Sequence, residues 1–255
     1  MTRAPAPRGL AALRPSRASR GRGALPLSPG ALRLVGLAAV QAVYGRGSRS
    51  PRQTRALVGL MLGVSLADAG GPRGALPVAA AGAVGFGAEL VGVATGRPFG
   101  HYAYSEQLGT RVRGVPVLAA AAWAMMARPA WAVAGRISRR AALRVPLAAG
   151  ALTAWDLYLD PRMVAEGYWS WPGGGRYAGV PASNFAGWFV TGLAVFSAFA
   201  ALEEPGPDGG AVALYTWTWL GEAFANAALW QRPQVALVGG AGMGAFAVPA
   251  LVRGR

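Results

Sequence analysis

The chain has 255 residues, of which 53% are hydrophobic and only 14% charged, and it carries a net charge of +15. A soluble domain of this size needs more polar surface, so the composition indicates a polytopic membrane protein. All 25 basic residues are arginine, and the lack of lysine excludes a retinal Schiff base. With no cysteine and one histidine, His101, the usual haem, iron–sulfur and zinc ligands are missing, and we expect no metal and no cofactor.

Residues 1–30 form an arginine- and proline-rich tail without acidic residues, which predicts disorder. The remaining arginines fall mostly at the ends of apolar windows. This placement favours anionic lipid headgroups over nucleic acid as the partner of the positive charge. Arginine bias leaves the orientation open, because the tail and the arginines after the first window suggest opposite sides.

Eight apolar windows follow the tail, at about 31–44, 56–70, 75–95, 115–134, 142–159, 184–202, 211–230 and 234–252. A span of the ~30 Å hydrocarbon layer takes about 20 residues, so the third to eighth windows are long enough or nearly so. The sequence therefore predicts an all-α transmembrane bundle over residues 31–252. We expect eight helices, or seven if the short first window lies at the interface, in a bacterial cytoplasmic membrane.

Polar residues collect at one membrane face if the windows alternate in direction. Glu89 lies near the end of the third window, Asp156 and Asp160 close the fifth, Asn184 opens the sixth, and Glu222 and Asn226 lie late in the seventh. These ends reach the same face, which predicts one polar pocket. Asp68, Glu203, Glu204 and Asp208 fall on the opposite face, and we assign them no role.

The two aspartates four residues apart are the first catalytic candidates. Asp156 and Asp160 share a helix face, and Pro161 then predicts an exit from the helix into a loop. Two carboxylates in a poorly hydrated site do not both ionise readily, which leaves one acid and one base. The alternative is a helix end that meets water.

Glu89 and Glu222 are candidates because an ionisable side chain inside the membrane is costly, about 2.5–3.5 kcal/mol on insertion scales. The alternative for Glu222 and Asn226 is a hydrogen bond between helices. Aromatic residues and an arginine occur near these acids in the sequence. The aromatic rings form either a belt at the membrane interface or the walls of a pocket for a polyene or cation. The residues concerned are Trp155, Tyr158, Trp169, Trp171, Trp188, Tyr102, Tyr104 and Arg97.

Two loop runs carry a resemblance to a known family. They are Arg97-Pro98-Phe99-Gly100 with Tyr102, Tyr104 and Gly114-Val115-Pro116, and Asp160-Pro161 with Trp169, Trp171, Gly179-Val180-Pro181 and Asn184-Phe185. Over about residues 55–250 the chain resembles the integral-membrane carotenoid biosynthesis family that includes CruF-type carotenoid 1′,2′-hydratases and bisanhydrobacterioruberin hydratases.

The resemblance implies addition of water across the terminal C=C bond of an acyclic carotenoid drawn from the lipid phase, beside other carotenoid-pathway enzymes. It supplies no catalytic set, so we assign roles from the chemistry of alkene protonation. The acid is Asp156 or Glu89, and the group that orients water is Asp160 or Glu222. Asn184 and Asn226 give polar support, and the cation or polyene lies against Trp155, Trp169 and Trp188.

Three other functions fit parts of the pattern. A carotenoid cyclase starts with the same protonation but gives a product of unchanged mass. A prenyltransferase needs a second aspartate cluster for Mg²⁺, which the chain lacks. A small-molecule transporter also gathers polar residues in the membrane, but we find no internal repeat.

Overall fold

The computed structural model describes residues 1, 27–202, 206 and 208–253. Most of the predicted disordered tail lies outside these residues, as do Glu203 and Glu204. The described chain folds into a bundle of eight α-helices, which confirms the all-α prediction and its larger helix count. The helices are α1 (Pro29–Arg46), α2 (Pro51–Asp68), α3 (Pro72–Thr95), α4 (Leu118–Ile137), α5 (Ala141–Ala165), α6 (Ala182–Leu202), α7 (Gly209–Phe224) and α8 (Pro233–Arg253).

The first two helices begin with the same local signal. Ser28 and Ser50 stand directly before Pro29 and Pro51, and their hydroxyls accept hydrogen bonds from the backbone N–H groups of Ala31 and Gln53. Serine satisfies a free N–H at a helix start, and proline at the first helical position loses no hydrogen bond. These signals start α1 and α2 earlier than the apolar windows predict.

Helix α4 lies at the centre of the bundle. It contacts α2, α3, α5, α7 and α8, and α6 packs against α3 and α5. Most of the segment from Trp123 to Ala134 is buried. Helix α4 therefore supplies the packing surface that holds the surrounding helices together.

The predicted helix exit at Pro161 is wrong, because α5 continues to Ala165. Proline has no N–H, so the carbonyl oxygen of Leu157, four residues earlier, loses its helical partner. The hydroxyl of Tyr177 donates to that oxygen at 2.8 Å and replaces the missing bond. Asp156 and Asp160 consequently lie inside the bundle and not at a helix end that meets water.

Three of the described helices, α3, α6 and α8, are long and apolar enough to cross a membrane. The sequence led us to expect spans from all of the third to eighth windows. Helix α7 has 16 residues, and α5 carries Asp156, Asp160 and Arg162, all buried within the bundle. Charged side chains that face other helices lower the hydropathy of a helix without facing lipid. The helical architecture and the apolar spans show a membrane protein.

Two short strand pairs order the long loops. β1 (Ala103–Tyr104) pairs antiparallel with β4 (Trp169–Ser170), and β2 (Arg111–Val112) pairs with β3 (Val115–Pro116). The β1–β4 pair ties the loop before α4 to the loop before α6. It therefore joins the two loop runs that the sequence singled out.

We predict that Gly85→Ala destabilises the fold. A Cβ at Gly85 of α3 would lie 2.1 Å from Cγ of the buried Trp123 ring of α4, so the helices must separate. Overpacking of this kind costs about 1–3 kcal/mol, measurable as a lower midpoint of thermal unfolding in detergent. Gly87 is the matched control in the same helix, because a Cβ there meets no atom within 4 Å. Equal midpoints for the two variants would contradict the packing.

Candidate functional site

Glu89 of α3 is held by three donors. The hydroxyls of Tyr102 and Tyr104 donate to its Oε2, the latter at 2.8 Å, and Nε1 of Trp123 donates to its Oε1 at 3.0 Å. Burial raises the pKa of both phenols well above the ordinary tyrosine value, so both keep the protons that they donate. The side chains around Glu89 therefore present hydrogen-bond donors to its carboxyl group.

The β1–β4 pair places two of the site's donors side by side. Tyr104 and Trp169 are directly opposite in the register, so they project from the same face of the pair, with ring centroids 5.5 Å apart. Tyr104 donates to Glu89, and Nε1 of Trp169 donates to Oδ1 of Asp160 at 3.1 Å. One short strand pair thus supplies hydrogen-bond donors to carboxyl groups on two different helices, α3 and α5.

Asp156 and Asp160 of α5 meet at one amide. Nδ2 of Asn184, in the first turn of α6, donates to Oδ2 of Asp156 at 2.9 Å and also to Oδ2 of Asp160. Asp156 is 0% exposed and Asp160 only 2%. Two carboxyl groups so close in apolar surroundings cannot both carry a charge cheaply, so a proton shared by the pair is the favourable state.

A cavity joins these groups. Its empty volume is about 930 Å³, including the part that is open to solvent. The polar residues in its lining include Glu89, Asp160, Asn184 and Glu222. Four of the six polar residues for which the sequence predicts one pocket therefore line the same cavity. Asp156 is not in the lining and reaches the cavity only through Asp160 and Asn184.

Aromatic rings form much of the cavity wall. Trp123 and Trp188 stack with ring centroids 3.9 Å apart, and Trp155 meets Trp188 edge-on at 6.0 Å. The other aromatic rings in the lining are Phe99, Tyr102, Tyr104, Trp169 and Trp171. Since Trp155, Trp171 and Trp188 are buried, they are not members of an interfacial belt. Such a wall fits a conjugated hydrocarbon and can stabilise a positive charge through the ring faces.

Glu222 of α7 also lines the cavity and has an arginine partner. Nη1 of Arg162 is 3.4 Å from Oε1 of Glu222, and both residues line the cavity. The carboxyl groups of the site therefore differ in their partners. Glu222 pairs with a cation, Glu89 accepts from neutral donors, and Asp160 shares Asn184 with Asp156.

Three of the predicted binding residues lie away from the cavity. Tyr158 is fully buried and faces α8, where its ring fills the space beside Gly239. Arg97 is exposed on the loop after α3, and His101 is exposed as predicted. Asn226 is buried outside the lining and supports Glu222, donating from Nδ2 to its backbone oxygen at 2.9 Å. The rotation of α5 about its axis decides the position of Tyr158, and the residue type does not reveal it.

Sequence reasoning missed several residues of the site. Trp123 and Arg162 contact catalytic candidates directly, and Thr54 of α2 lines the cavity. The hydroxyl of Thr54 bonds those of Tyr44 and Tyr168, at 2.8 and 2.7 Å. The position of Arg162, two residues after Asp160, was a usable signal, since a charge this close to a buried acid needs a partner. Thr54 gave no such signal.

On the opposite face, two ion pairs account for acids that we assigned no role. Nε of Arg128 pairs with Oδ2 of Asp68 at 2.9 Å, and Nη2 of Arg136 pairs with Oδ1 of Asp208 at 2.8 Å. Hydrogen bonding to Arg136 holds the pKa of Asp208 below its ordinary value. These contacts join the ends of helices away from the cavity.

We predict that Asn184→Leu lowers stability and that a matched change elsewhere in α6 does not. Leucine leaves two buried carboxyl groups without their common donor, at a cost of about 1–3 kcal/mol. The control is Ser197→Ala, which removes only a hydroxyl bonded to the carbonyl of Leu193 on an exposed surface. Thermal unfolding in detergent measures both. An unchanged midpoint for Asn184→Leu would show that the amide does not hold the pair.

Comparison with known proteins supplies the family. The profile of the family described as carotenoid biosynthesis protein matches residues 54–242, most of the chain. Over 125 residues the chain is 34% identical to bisanhydrobacterioruberin hydratase of Haloarcula japonica, covering 47% of this chain and 42% of that protein. The match thus spans less than half the relative's length. No solved structure shows significant similarity. Because the profile covers the cavity-lining residues from Thr54 to Glu222, the chain belongs to the carotenoid biosynthesis protein family.

Proposed function

We propose that this protein is a membrane hydratase that adds water across the terminal C=C bond of an acyclic carotenoid end. The observation that carries the proposal is the cavity, in which buried carboxyl groups stand among stacked aromatic rings. The hydratase relative supports the same reaction type. The proposal places the protein in a bacterial cytoplasmic membrane, where the carotenoid comes from the lipid phase and other carotenoid-pathway enzymes work nearby.

The proton donor in this proposal is Asp160. An isolated alkene is weakly basic, so the acid must be a neutral carboxyl group in a site of low dielectric constant. Asp160 lines the cavity, and its neighbour Asp156 shares the Asn184 amide. Asp156 lies behind it and holds the proton with it. The sequence predicts Asp156 or Glu89 as the acid, but Asp156 does not line the cavity and Asp160 does.

The cation that follows is tertiary and lies at the carbon that bears the two methyl groups. The Asp160 proton forms a C–H bond at the other alkene carbon, and the π pair is consumed in that bond. Rings of Trp123 and Trp188 supply negative faces, and Glu89 supplies a carboxylate fixed by three donors. Fixed groups stabilise developing charge without reorganising during the reaction.

Water completes the reaction by forming a C–O bond to the cation. The oxonium that results loses its extra proton to the Asp160 carboxylate, which restores the acid for the next turnover. The net change is addition of one water molecule and formation of a tertiary alcohol. This chemistry uses no redox step. A cyclase would instead quench the cation with an internal alkene, so the mass of the product separates the two reactions.

We predict that wild-type protein, expressed in a host that accumulates lycopene or a longer acyclic carotenoid, yields pigment heavier by one or two water molecules. Asp160→Asn should lower hydration by about 10²–10⁴-fold, because an amide cannot protonate carbon. Mass analysis of extracted pigments measures both. Asp208→Asn is the control, since Asp208 pairs with Arg136 outside the cavity. Wild-type hydration by Asp160→Asn, with loss in Asp156→Asn, would move the proton donor to Asp156.

We also predict that Glu89→Gln slows hydration without preventing folding. Glutamine keeps the size of the side chain but removes the carboxylate that faces the cation, and loss of one electrostatic group costs about 10²–10³-fold in rate. Glu106→Gln is the matched control, because Glu106 forms an exposed ion pair with Arg111. The amount of protein in the detergent-extracted monodisperse peak checks folding. An unchanged rate in Glu89→Gln would exclude this role.

A further inference from the structure

A second polar cluster lies beside the cavity, at the same end of the bundle. It consists of three arginines, two glutamates and one asparagine: Arg49, Arg162, Arg232, Glu166, Glu222 and Asn226. They come from the α1–α2 loop, the end of α5, the end of α7 with the π-helical turn Ala225–Leu229, and the residue before α8. The cavity for the polyene does not account for such a concentration of charge in an apolar bundle.

This cluster contains most of the buried polar atoms that lack a hydrogen bond. Among the described residues eight buried side-chain nitrogen and oxygen atoms make none, and six of them belong to the cluster. They are Nε of Arg49, Nε of Arg162, Nη1 of Arg232, both Oε atoms of Glu166 and Oδ1 of Asn226. Buried polar groups that make no hydrogen bond within the protein are normally satisfied by ordered water.

The chemistry of these six atoms favours water over an anion. Three of them are N–H donors on arginines, and three are oxygen acceptors on Glu166 and Asn226. An anion would satisfy the donors and repel the carboxylate, whereas a water molecule both donates and accepts. A mixture of donors and acceptors that make no hydrogen bond therefore fits a small group of water molecules.

The cluster includes a partly exposed outer residue and residues that line the cavity. Arg49 is the outer residue, with a side chain that is 25% exposed, and its Nε lies 3.1 Å from Oε1 of Glu166 at too bent an angle for a hydrogen bond. Arg162 is the inner residue, with a side chain that is 9% exposed. Arg162 and Glu222 line the cavity itself. The cluster thus has polar groups both at the loop end of the bundle and in the cavity wall.

We propose that this cluster is a water site that supplies the reacting water to the cavity from the aqueous side. The inference rests on the proposed hydratase function, because only a reaction that consumes water needs such a supply in a site walled by aromatic rings. In this arrangement Glu166 and Asn226 hold the water molecules, and Arg162 with Glu222 passes them into the cavity. The polyene and the water reach the site by different routes.

The kinetic test uses Glu166→Leu, which removes two acceptors and fills their space with an apolar side chain. Glu166 does not line the cavity, so the KM for the carotenoid should stay the same while kcat for hydration falls at least about tenfold. Asp208→Leu is the control, since it breaks the Arg136–Asp208 pair at the other end of the bundle and should leave both constants unchanged. A wild-type kcat in Glu166→Leu would overturn the proposal.

A second measurement on the wild-type protein does not depend on activity or on the folding of a variant. X-ray footprinting labels buried side chains that contact bound water. Tyr168 follows Glu166 by two residues, is 1% exposed and bonds the Thr54 hydroxyl at 2.7 Å, whereas Tyr215 is 0% exposed and bonds the carbonyl oxygen of Ala151. Tyr168 should be labelled faster than Tyr215, and equal labelling would overturn the water site. Absence of a hydrated product from the wild-type protein would overturn the hydratase function instead.

Discussion

The need of buried carboxyl groups for hydrogen-bond donors organises this structure. An unpaired acid inside an apolar bundle costs several kcal/mol, so each one must draw partners from neighbouring elements. Glu89 takes its donors from the following loop and from α4, and the pair Asp156–Asp160 takes one from α6. These contacts cross between elements that are far apart in the sequence. They fix the distances between helices and the shape of the cavity together.

The loops are as important to the site as the helices. Two strands of two residues each, β1 and β4, bring Tyr104 and Trp169 together and direct them to acids on α3 and α5. Tyr177 of the second loop completes the hydrogen bonding of α5 at Pro161. These loops therefore do more than connect helices, since they supply donors that the helices lack. This supply of donors is a physical reason why the residues that carry the family resemblance occur in these loops.

The proposed reaction needs both apolar and polar surroundings within one cavity. The polyene needs apolar walls, and Trp123, Trp155 and Trp188 provide them. The reacting water needs polar contacts, which Arg162 and Glu222 of the same cavity provide. With both kinds of group in one cavity, the cation can form beside the aromatic rings while the reacting water stays bound to polar side chains. Uncontrolled access of water would hydrate the carboxyl groups and weaken the acid.

The sequence by itself determined the helical membrane class, the resemblance to the family and the face on which the acids gather. Hydropathy and alternating direction are enough for these, because they depend on windows of about 20 residues and not on side-chain positions. The sequence prediction for α5 was wrong, because Pro161 predicts the end of the helix there. The hydroxyl of Tyr177, from a loop twenty residues away, replaces the hydrogen bond that the carbonyl oxygen of Leu157 loses. Local patterns carry no information about such a partner.

Only the tertiary structure decided which residues face the cavity. Tyr158 and Trp155 are both aromatic and three residues apart, yet Trp155 lines the cavity and Tyr158 packs on α8. Asp156 and Asp160 share a helix face, yet only Asp160 lines the cavity. Helix rotation and the approach of neighbouring helices set these differences, and packing across the whole bundle fixes both. For the same reason Thr54, Trp123 and Arg162 became visible as parts of the site only once the helices were assembled.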